Sequence, residues 1–154
     1  MAGVFNGDAS LGEVDKHGAD FSMRGPLFAI LEAGYLLNQE AGSAGSTGRG
    51  EANILIAGGH TVVEMIRQGK HPKDACLEAL RRIAAVTRER RLLDGKGRPN
   101  FSIRFYALNK RGAYGSAAMW SSTSTGKPAR FAVADAKGAR LEDCAALFEG
   151  HPPA

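Results

Sequence analysis

The sequence has few of the residues that build metal sites, disulfide frameworks or membrane spans. Its two cysteines, Cys76 and Cys144, lie far apart and neither belongs to a C-x-x-C pair, so neither a zinc site nor a disulfide framework is predicted. No apolar run approaches the roughly 20 residues that span a bilayer. The N-terminus has no basic segment followed by an apolar stretch. We therefore expect a soluble chain in a reducing cytoplasm, with no membrane partner.

Aromatic residues are also scarce, at 7% of the chain, and this bears on its positive charge of +4. Much of the excess charge lies in one segment, where two glutamates are interleaved and no aromatic platform is near. Such a segment indicates a solvated helix face, so we expect no nucleic-acid partner. The basic residues concerned are Arg81, Arg82, Arg88, Arg90 and Arg91.

Metal ligands are not grouped either. His60 and Glu64 have the i,i+4 spacing that places them on one helix face, but the metalloprotease pattern requires a second histidine. We predict no metal ion and no cofactor.

The length of 154 residues and the 44% hydrophobic content fit one domain, residues 1–154. Helical periodicity predicts one helix over 51–68 and a second over 72–91. A short strand over 33–37 precedes them. After the second helix the period changes to two, which predicts a hairpin whose second strand covers 113–120.

Three short segments share one turn pattern, in which Asp or Asn opens the turn and Gly accepts a left-handed conformation. They are Asp15–Gly18, Asn109–Gly112 and Asp135–Gly138. Because such turns connect antiparallel strands, we predict an α+β fold with a layered antiparallel sheet and two consecutive helices on one face. Residues 142–154 are predicted to be a tail.

The run of small residues from Ala41 to Glu51 is the most informative stretch of the chain. It is predicted to be a turn that joins the first strand to the first helix. Glycines there allow a ligand to approach the backbone, and a helix N-terminus offers N–H groups to negative charge. The Thr47-Gly48 pair has the chemistry to stabilise an oxyanion or an anionic ligand, although plain structural turns use the same residues.

The order of these motifs resembles the C-terminal (β) half of glycosylasparaginases and the related isoaspartyl peptidase/L-asparaginases. The resemblance covers about residues 24–141 and includes the Thr-Gly-x-Gly-Glu element, the helix pair and the Ala-Leu-Asn-Lys-x-Gly hairpin. It implies half of an αββα N-terminal-nucleophile hydrolase, made by autoproteolysis of a precursor. In that family a terminal threonine, with its own α-amino group as base, attacks the side-chain amide of an asparagine-type substrate.

The resemblance also implies roles for individual residues. Thr47 and Gly48 correspond to the pair that binds substrate and forms the oxyanion hole, and Gly50 belongs to the same substrate-binding element. Arg24 corresponds to the arginine that holds the α-carboxylate of the substrate. The family places an aspartate three residues later, whereas this chain has Leu27, which cannot pair with an ammonium group.

The nucleophile region, residues 1–23, is degenerate or shortened compared with the family. No threonine precedes Thr47, so two alignments remain open. In the first, Asp8 marks the cleavage point and Ala9 stands where the nucleophile belongs, which gives an inert site. In the second, Ser10 is the catalytic nucleophile once the preceding residues are removed.

The sequence and the resemblance lead to three candidate functions. The first is an asparaginase-family amidohydrolase of which this chain supplies one half, inactive alone and requiring an α-like half or self-association. The second is a degenerate family member that serves as an interaction module. The third is a nucleotide- or nucleic-acid-binding domain, against which the lack of a lysine after the Gly-rich run argues.

Overall fold

The computed structural model describes residues 35–153 and contains a five-stranded sheet, a separate two-stranded sheet and three α-helices. The elements follow one another as β1 (Tyr35–Asn38), β2 (Gly42–Gly48), α1 (Gly50–Ile54), α2 (Gly58–Arg67), α3 (Pro72–Val86), a 3₁₀ turn (Arg90–Leu92), β3 (Ile103–Asn109), β4 (Tyr114–Trp120), β5 (Arg130–Asp135), β6 (Gly138–Asp143) and β7 (Ala145–Phe148). The prediction of an α+β fold is confirmed for this part of the chain.

The larger sheet has the strand order β1-β2-β3-β4-β7 and is mixed. Strands β3 and β4 form the predicted antiparallel hairpin, and β1, β2 and β3 also pair antiparallel, but β7 pairs parallel with β4. The wholly antiparallel prediction was therefore wrong at this edge. The reason is connectivity: the β5–β6 hairpin forms its own sheet, so the chain returns to the edge of the larger sheet in the direction of β4. β7 lies within the segment predicted as a tail.

Two of the three predicted turns lie in the described part of the chain, and both connect antiparallel strands. The Asn109 side chain accepts hydrogen bonds from the backbone N–H groups of Arg111 and Ala113, and Gly112 has a φ of 84°. The Asp135 carboxylate accepts from the Lys137 N–H in the same way. These side-chain bonds replace backbone partners where the chain reverses. The third turn, Asp15–Gly18, lies outside the described residues.

The small-residue run was predicted to be a turn, but residues 42–48 form β2, a central strand of the sheet. Glycine, serine and alanine have low strand propensity, so the local sequence favours a turn. Tertiary packing decides otherwise. Ala44 is fully buried beneath the helices, and its small side chain allows α2 to lie directly over the strand. Only residues 48–50 form the strand-to-helix connection.

The first predicted helix is interrupted, because α1 ends at Ile54 and α2 begins at Gly58. Ala57 between them has a left-handed φ of 45°. The break allows Gly58 to pack against the Phe105 ring, where an added Cβ would lie 2.8 Å from two ring carbons. It also leaves Ile54 51% exposed, although periodicity had placed Ile54 on the buried face. A continuous helix over 51–68 was therefore wrong.

The second predicted helix is present but ends at Val86 instead of Arg91. Thr87 turns to an extended conformation, and its hydroxyl donates to the Ile83 carbonyl. The basic residues that follow lie in the 3₁₀ turn and its approach. None of the helices within 35–153 has the length and apolar character needed to cross a membrane.

The two faces of the large sheet are covered differently. Helices α2 and α3 pack on one face, and the core between them includes Ala44, Phe105 and Met119. The β5–β6 hairpin lies on the opposite face, where Phe131 packs edge-on against Tyr114. We call the first the helix face and the second the open face, because a cavity lies between it and the hairpin.

Candidate functional site

The open face brings Thr47 next to two polar residues of β3. In the ladder, Thr47 lies directly opposite Arg104, and Gly45 lies opposite Tyr106. Because side chains alternate along a strand, Arg104 and Tyr106 project from the face opposite to that of the buried Phe105. The Thr47 Oγ1 and the Tyr106 hydroxyl are 2.7 Å apart and share a hydrogen bond. Thr47 is half-buried, so its hydroxyl remains near the surface of the sheet.

The connection after Thr47 is held from several sides. The Arg49 backbone N–H donates to the Ser102 carbonyl at 3.1 Å, and the Arg49 guanidinium lies over the Phe101 ring at 5.4 Å. On the helix face, the buried Asn53 side chain donates to the Ser46 hydroxyl at 2.9 Å. These contacts tie the last residues of β2 and the short α1 to the sheet. The Thr47-Gly48 pair is therefore carried on a rigid support.

Gly48 has a φ of 116°, which disfavours every residue that has a side chain. A Cβ at this position would collide with the Ser102 carbonyl oxygen and lie 2.8 Å from the Cα of Ile103. Backbone hydrogen bonds run from the Lys110 N–H to the Ala41 carbonyl and from the Arg49 N–H to the Ser102 carbonyl. Because hydrogen-bonded pairs alternate along an antiparallel ladder, the odd-numbered residues of β2 are the ones hydrogen-bonded to β3. The Gly48 N–H consequently points away from β3, and Gly48 itself is exposed.

The electrostatics around Thr47 keep its partner protonated. Burial raises the pKa of the Tyr106 hydroxyl above its ordinary value, while the hydrogen bond with Thr47 and the nearby Arg104 guanidinium act in the lowering direction. Burial also raises the pKa of the Cys144 thiol, whose sulfur is 3.2 Å from the Ser116 hydroxyl. Neither group is a nucleophile or a base at neutral pH in this environment. The polar character of this region therefore comes from neutral hydroxyls and one guanidinium.

A cavity of about 500 Å³ adjoins this region on the open face, between β1–β4 and the β5–β6 hairpin. Tyr106 lines it and also contacts Thr47, so the cavity and the Thr47 site meet at this residue. Much of the remaining lining is apolar or aromatic, including Leu37, Leu108, Tyr114, Phe131 and Val133. Leu37 is 42% exposed at the cavity edge.

One end of the cavity carries a charged network of the hairpin. Arg140 contacts the carboxylates of Asp135 and Glu142 and the hydroxyl of Tyr114, at 2.8 to 2.9 Å. These contacts raise the pKa of Arg140 above its ordinary value. Because Tyr114 donates to Glu142, the pKa of Tyr114 is also raised. Within residues 35–153, no three His, Cys, Asp or Glu side chains are grouped so that they could hold a metal ion.

The predicted site residues are only partly within the described chain. Thr47 and Gly48 lie side by side at the end of β2, and Gly50 is the exposed first residue of α1. Because α1 has only five residues, it lacks the long dipole of the predicted continuous helix. Arg24 and Ser10 lie outside the described residues.

Sequence reasoning missed Tyr106 and Arg104 as neighbours of Thr47. The period of two in β3 carried the signal, because it assigned Ile103, Phe105 and Ala107 to one face and left the residues between them for the other. The register that brings Tyr106 to Thr47 could not be obtained from that period, since β2 was not predicted to be a strand.

The comparison with known proteins agrees with the resemblance. No protein-family model matches the chain. The chain is 40% identical over 113 residues to an N(4)-(beta-N-acetylglucosaminyl)-L-asparaginase of Elizabethkingia miricola. The aligned part is 73% of this chain but 30% of the relative, so the chain spans less than a third of the length of the curated relative it matches. By this identity, the chain belongs to the glycosylasparaginase family.

Proposed function

We propose that this chain supplies the carbonyl-binding part of an asparaginase-family amidohydrolase site and corresponds to the C-terminal (β) half of its relatives. In this proposal the substrate is an asparagine-type molecule: asparagine, N4-glycosylated asparagine or an isoaspartyl peptide. The side-chain carbonyl oxygen lies on the Thr47 hydroxyl and the Gly48 N–H. Arg24 binds the α-carboxylate of the same molecule.

The observation that carries the proposal is the arrangement of Thr47 and Gly48 on the rigid end of β2. The Thr47 hydroxyl and the Gly48 N–H are the two kinds of donor that an oxyanion hole uses. Both belong to a strand that is packed beneath two helices and tied to β3, so their relative positions vary little. Such donors lower the barrier to amide cleavage because they need no reorganisation when charge develops on the oxygen.

We further propose that the isolated chain has no hydrolase activity. A hydroxyl nucleophile requires an adjacent base, which the family obtains from the α-amino group of a terminal threonine. This chain has Ala9 or Ser10 in that region and Leu27 in place of an acidic residue. In this proposal residues 1–154 form one domain whose segment 1–23 is a degenerate or shortened nucleophile region.

The open face is where we propose that a partner packs. Leu37 is exposed at the edge of the cavity, and other residues of this face, such as Thr47 and Leu108, are only partly buried. An α-like half or a second copy of the chain would bury this surface. Size-exclusion chromatography of the full chain is expected to show association or poor stability, and a stable compact monomer would contradict the partner proposal.

Binding of L-asparagine to the 154-residue chain, measured by isothermal titration calorimetry, tests the substrate proposal. Thr47→Val keeps the shape of the side chain but removes the hydroxyl, and Arg24→Ala removes the guanidinium. Each is expected to weaken binding about tenfold or more, the value of one good hydrogen bond or charge pair. Arg82→Ala, which removes an exposed arginine of α3, is the matched control and should bind like the wild type.

The outcomes separate the two parts of the proposal. A wild-type chain that binds no L-asparagine, or a Thr47→Val variant that binds it equally well, contradicts the carbonyl-binding site. Aspartate release from N4-(β-N-acetylglucosaminyl)-L-asparagine is expected to be negligible. Turnover that disappears in Ser10→Ala would overturn the inactivity and identify Ser10 as the nucleophile.

The sequence also supports a second candidate, a non-catalytic interaction module. Its support is the combination of Ala9 and Leu27 at positions where the family uses reactive and charged residues. It predicts that the Thr47→Val and Arg24→Ala variants behave like the wild type in every ligand measurement.

A further inference from the structure

Tyr106 is the direct hydrogen-bonding neighbour of the Thr47 hydroxyl, and Arg104 stands beside both. The Tyr106 hydroxyl lies 2.7 Å from the Thr47 Oγ1, which is within the range of a good O–H···O bond. Arg104 is paired with Thr47 across the ladder, and Arg104 and Tyr106 share the open face of β3. The Arg104 guanidinium is itself held by a 2.9 Å hydrogen bond to the Arg130 carbonyl of the hairpin.

The direction of these hydrogen bonds follows from what each group is able to donate. A guanidinium has donors only, whereas each hydroxyl has one proton and two acceptor positions. The Arg104 guanidinium acts on the Tyr106 hydroxyl as a hydrogen-bond donor and lowers its pKa, but burial outweighs this and keeps the phenol protonated. The 2.7 Å contact allows either hydroxyl to donate, and a protonated Tyr106 beside the Arg104 guanidinium has a proton that it can donate to the Thr47 oxygen.

In the arrangement where Tyr106 donates, Thr47 keeps its own proton for another acceptor. Its oxygen then accepts from Tyr106, and its hydroxyl acts as a donor on the open face. The positive charge at the Arg104 end polarises the chain of hydroxyls in the same direction, which strengthens each successive bond. A ligand oxygen at Thr47 would thus meet a donor of fixed direction.

We propose that Tyr106 is a positioning residue that, held by Arg104, orients the Thr47 hydroxyl as a hydrogen-bond donor toward the carbonyl oxygen of an amide ligand. The inference rests on the proposed function only in the identity of the ligand. The hydrogen-bonded contact of Tyr106 with Thr47 is independent of it. The proposal makes Tyr106 specific for a neutral carboxamide or the oxyanion formed from it, since both require a donor at Thr47.

The first experiment measures the contact without ligand. The Tyr106 pKa is obtained from the ring Cζ resonance in the full chain labelled with ¹³C-tyrosine. A phenolate accepts a charge-assisted bond from Thr47, so removing the hydroxyl in Thr47→Val should raise the Tyr106 pKa. Thr47→Ser should restore the wild-type value. Equal values in all three proteins would overturn the inference.

The second experiment measures L-asparagine binding by the Tyr106→Phe variant, which keeps the ring and removes the hydroxyl. A loss of about 3- to 10-fold is expected, the effect of one hydrogen bond that orients a donor. Thr87→Val is the control, because it also removes one hydroxyl, which donates to the Ile83 carbonyl at the end of α3 and lies outside the candidate site and its cavity. It should bind like the wild type.

The results distinguish the inference from the proposed function. If Thr47→Val abolishes binding but Tyr106→Phe binds like the wild type, the site stands and the positioning role is wrong. Equal losses in Tyr106→Phe and Thr87→Val would indicate a general effect on folding and overturn the inference. If the wild type binds no L-asparagine, the proposed function fails, and the Tyr106 titration alone decides whether Tyr106 holds the Thr47 hydroxyl.

Discussion

The helix face and the open face of the sheet share the same strands but have opposite characters. On β3, Phe105 is fully buried beneath the helices, whereas Tyr106, one residue later, carries a hydroxyl that bonds to Thr47. The helix face is mostly apolar: aliphatic side chains and methionines surround the Phe105 ring, and Asn53 makes one buried polar contact with Ser46. The open face holds hydroxyls, a guanidinium and a cavity. One strand therefore supplies stability from one side and chemistry from the other, because successive side chains point in opposite directions.

The comparison explains why the candidate site is rigid without being buried. The Thr47-Gly48 pair belongs to a strand whose other side packs against α2. Its position is supported by apolar contacts on the face opposite to the Thr47 hydroxyl. Changes on the helix face should therefore affect folding, and changes on the open face should affect binding.

The largest expected effect separates the two faces on one strand. Phe105→Ala should lower the free energy of unfolding by about 3–5 kcal/mol, because it removes a fully buried ring and leaves a cavity. Leu108→Ala, on the open face of the same strand, should cost about 1–2 kcal/mol, since its side chain is already partly exposed. Urea unfolding followed by circular dichroism measures both. Equal losses in the free energy of unfolding would contradict the difference between the two faces.

A smaller effect is expected where α2 meets the helix face. Gly58→Ala would place a Cβ against the Asn53 side-chain oxygen and 2.8 Å from the Phe105 ring, so we expect a loss of about 1–3 kcal/mol from overpacking. Gly95→Ala is the matched control, because its added Cβ meets no atom within 4 Å and the change should fall within about 0.5 kcal/mol. Thermal unfolding of both variants checks this. A tolerated Gly58→Ala would show that the interruption between α1 and α2 is not required by close packing.

The smallest effect concerns charge on the open face and depends on pH. The Lys137 backbone N–H, followed by the Arg140 side chain, holds the pKa of Asp135 below its ordinary value. Its stabilising contribution is therefore complete above the ordinary Asp pKa of about 3.9 and is lost as the pH falls through the lower folded value. Asp135→Asn should be less stable than the wild type at pH 6, with a difference that vanishes at low pH. Urea unfolding at pH 6 and pH 3 measures it, and a difference independent of pH would contradict this origin.

Much of the secondary structure was predictable from the sequence, but the ends and interruptions of the helices were not. The turns at Asn109–Gly112 and Asp135–Gly138 were predicted correctly, because an Asn or Asp side chain and a glycine determine a turn locally. The helix break at Ala57 was not predicted, since the hydrophobic period passes through it without change. It depends on how closely Gly58 approaches Phe105, which is a property of the packed sheet.

The candidate site, like the secondary structure, was only partly predictable from the sequence. Thr47 and Gly48 were selected from the sequence by their place in the small-residue run and by the resemblance to the family. The contact of Thr47 with Tyr106 could not be predicted from the sequence, because the two residues are 59 positions apart. Only the register between β2 and β3 brings them together.

The sequence by itself determined the turns at Asn109–Gly112 and Asp135–Gly138 and the apolar face of β3, and it supplied the residues proposed for a site. These are local properties, set by side-chain chemistry and by a repeat of two along a strand. Tertiary structure alone decided that a run of small residues becomes a central strand, that β7 joins the sheet in parallel, and that Tyr106 lies against Thr47. Each of these depends on contacts between distant segments, whose free energy outweighs the weak local preferences of glycine, serine and alanine.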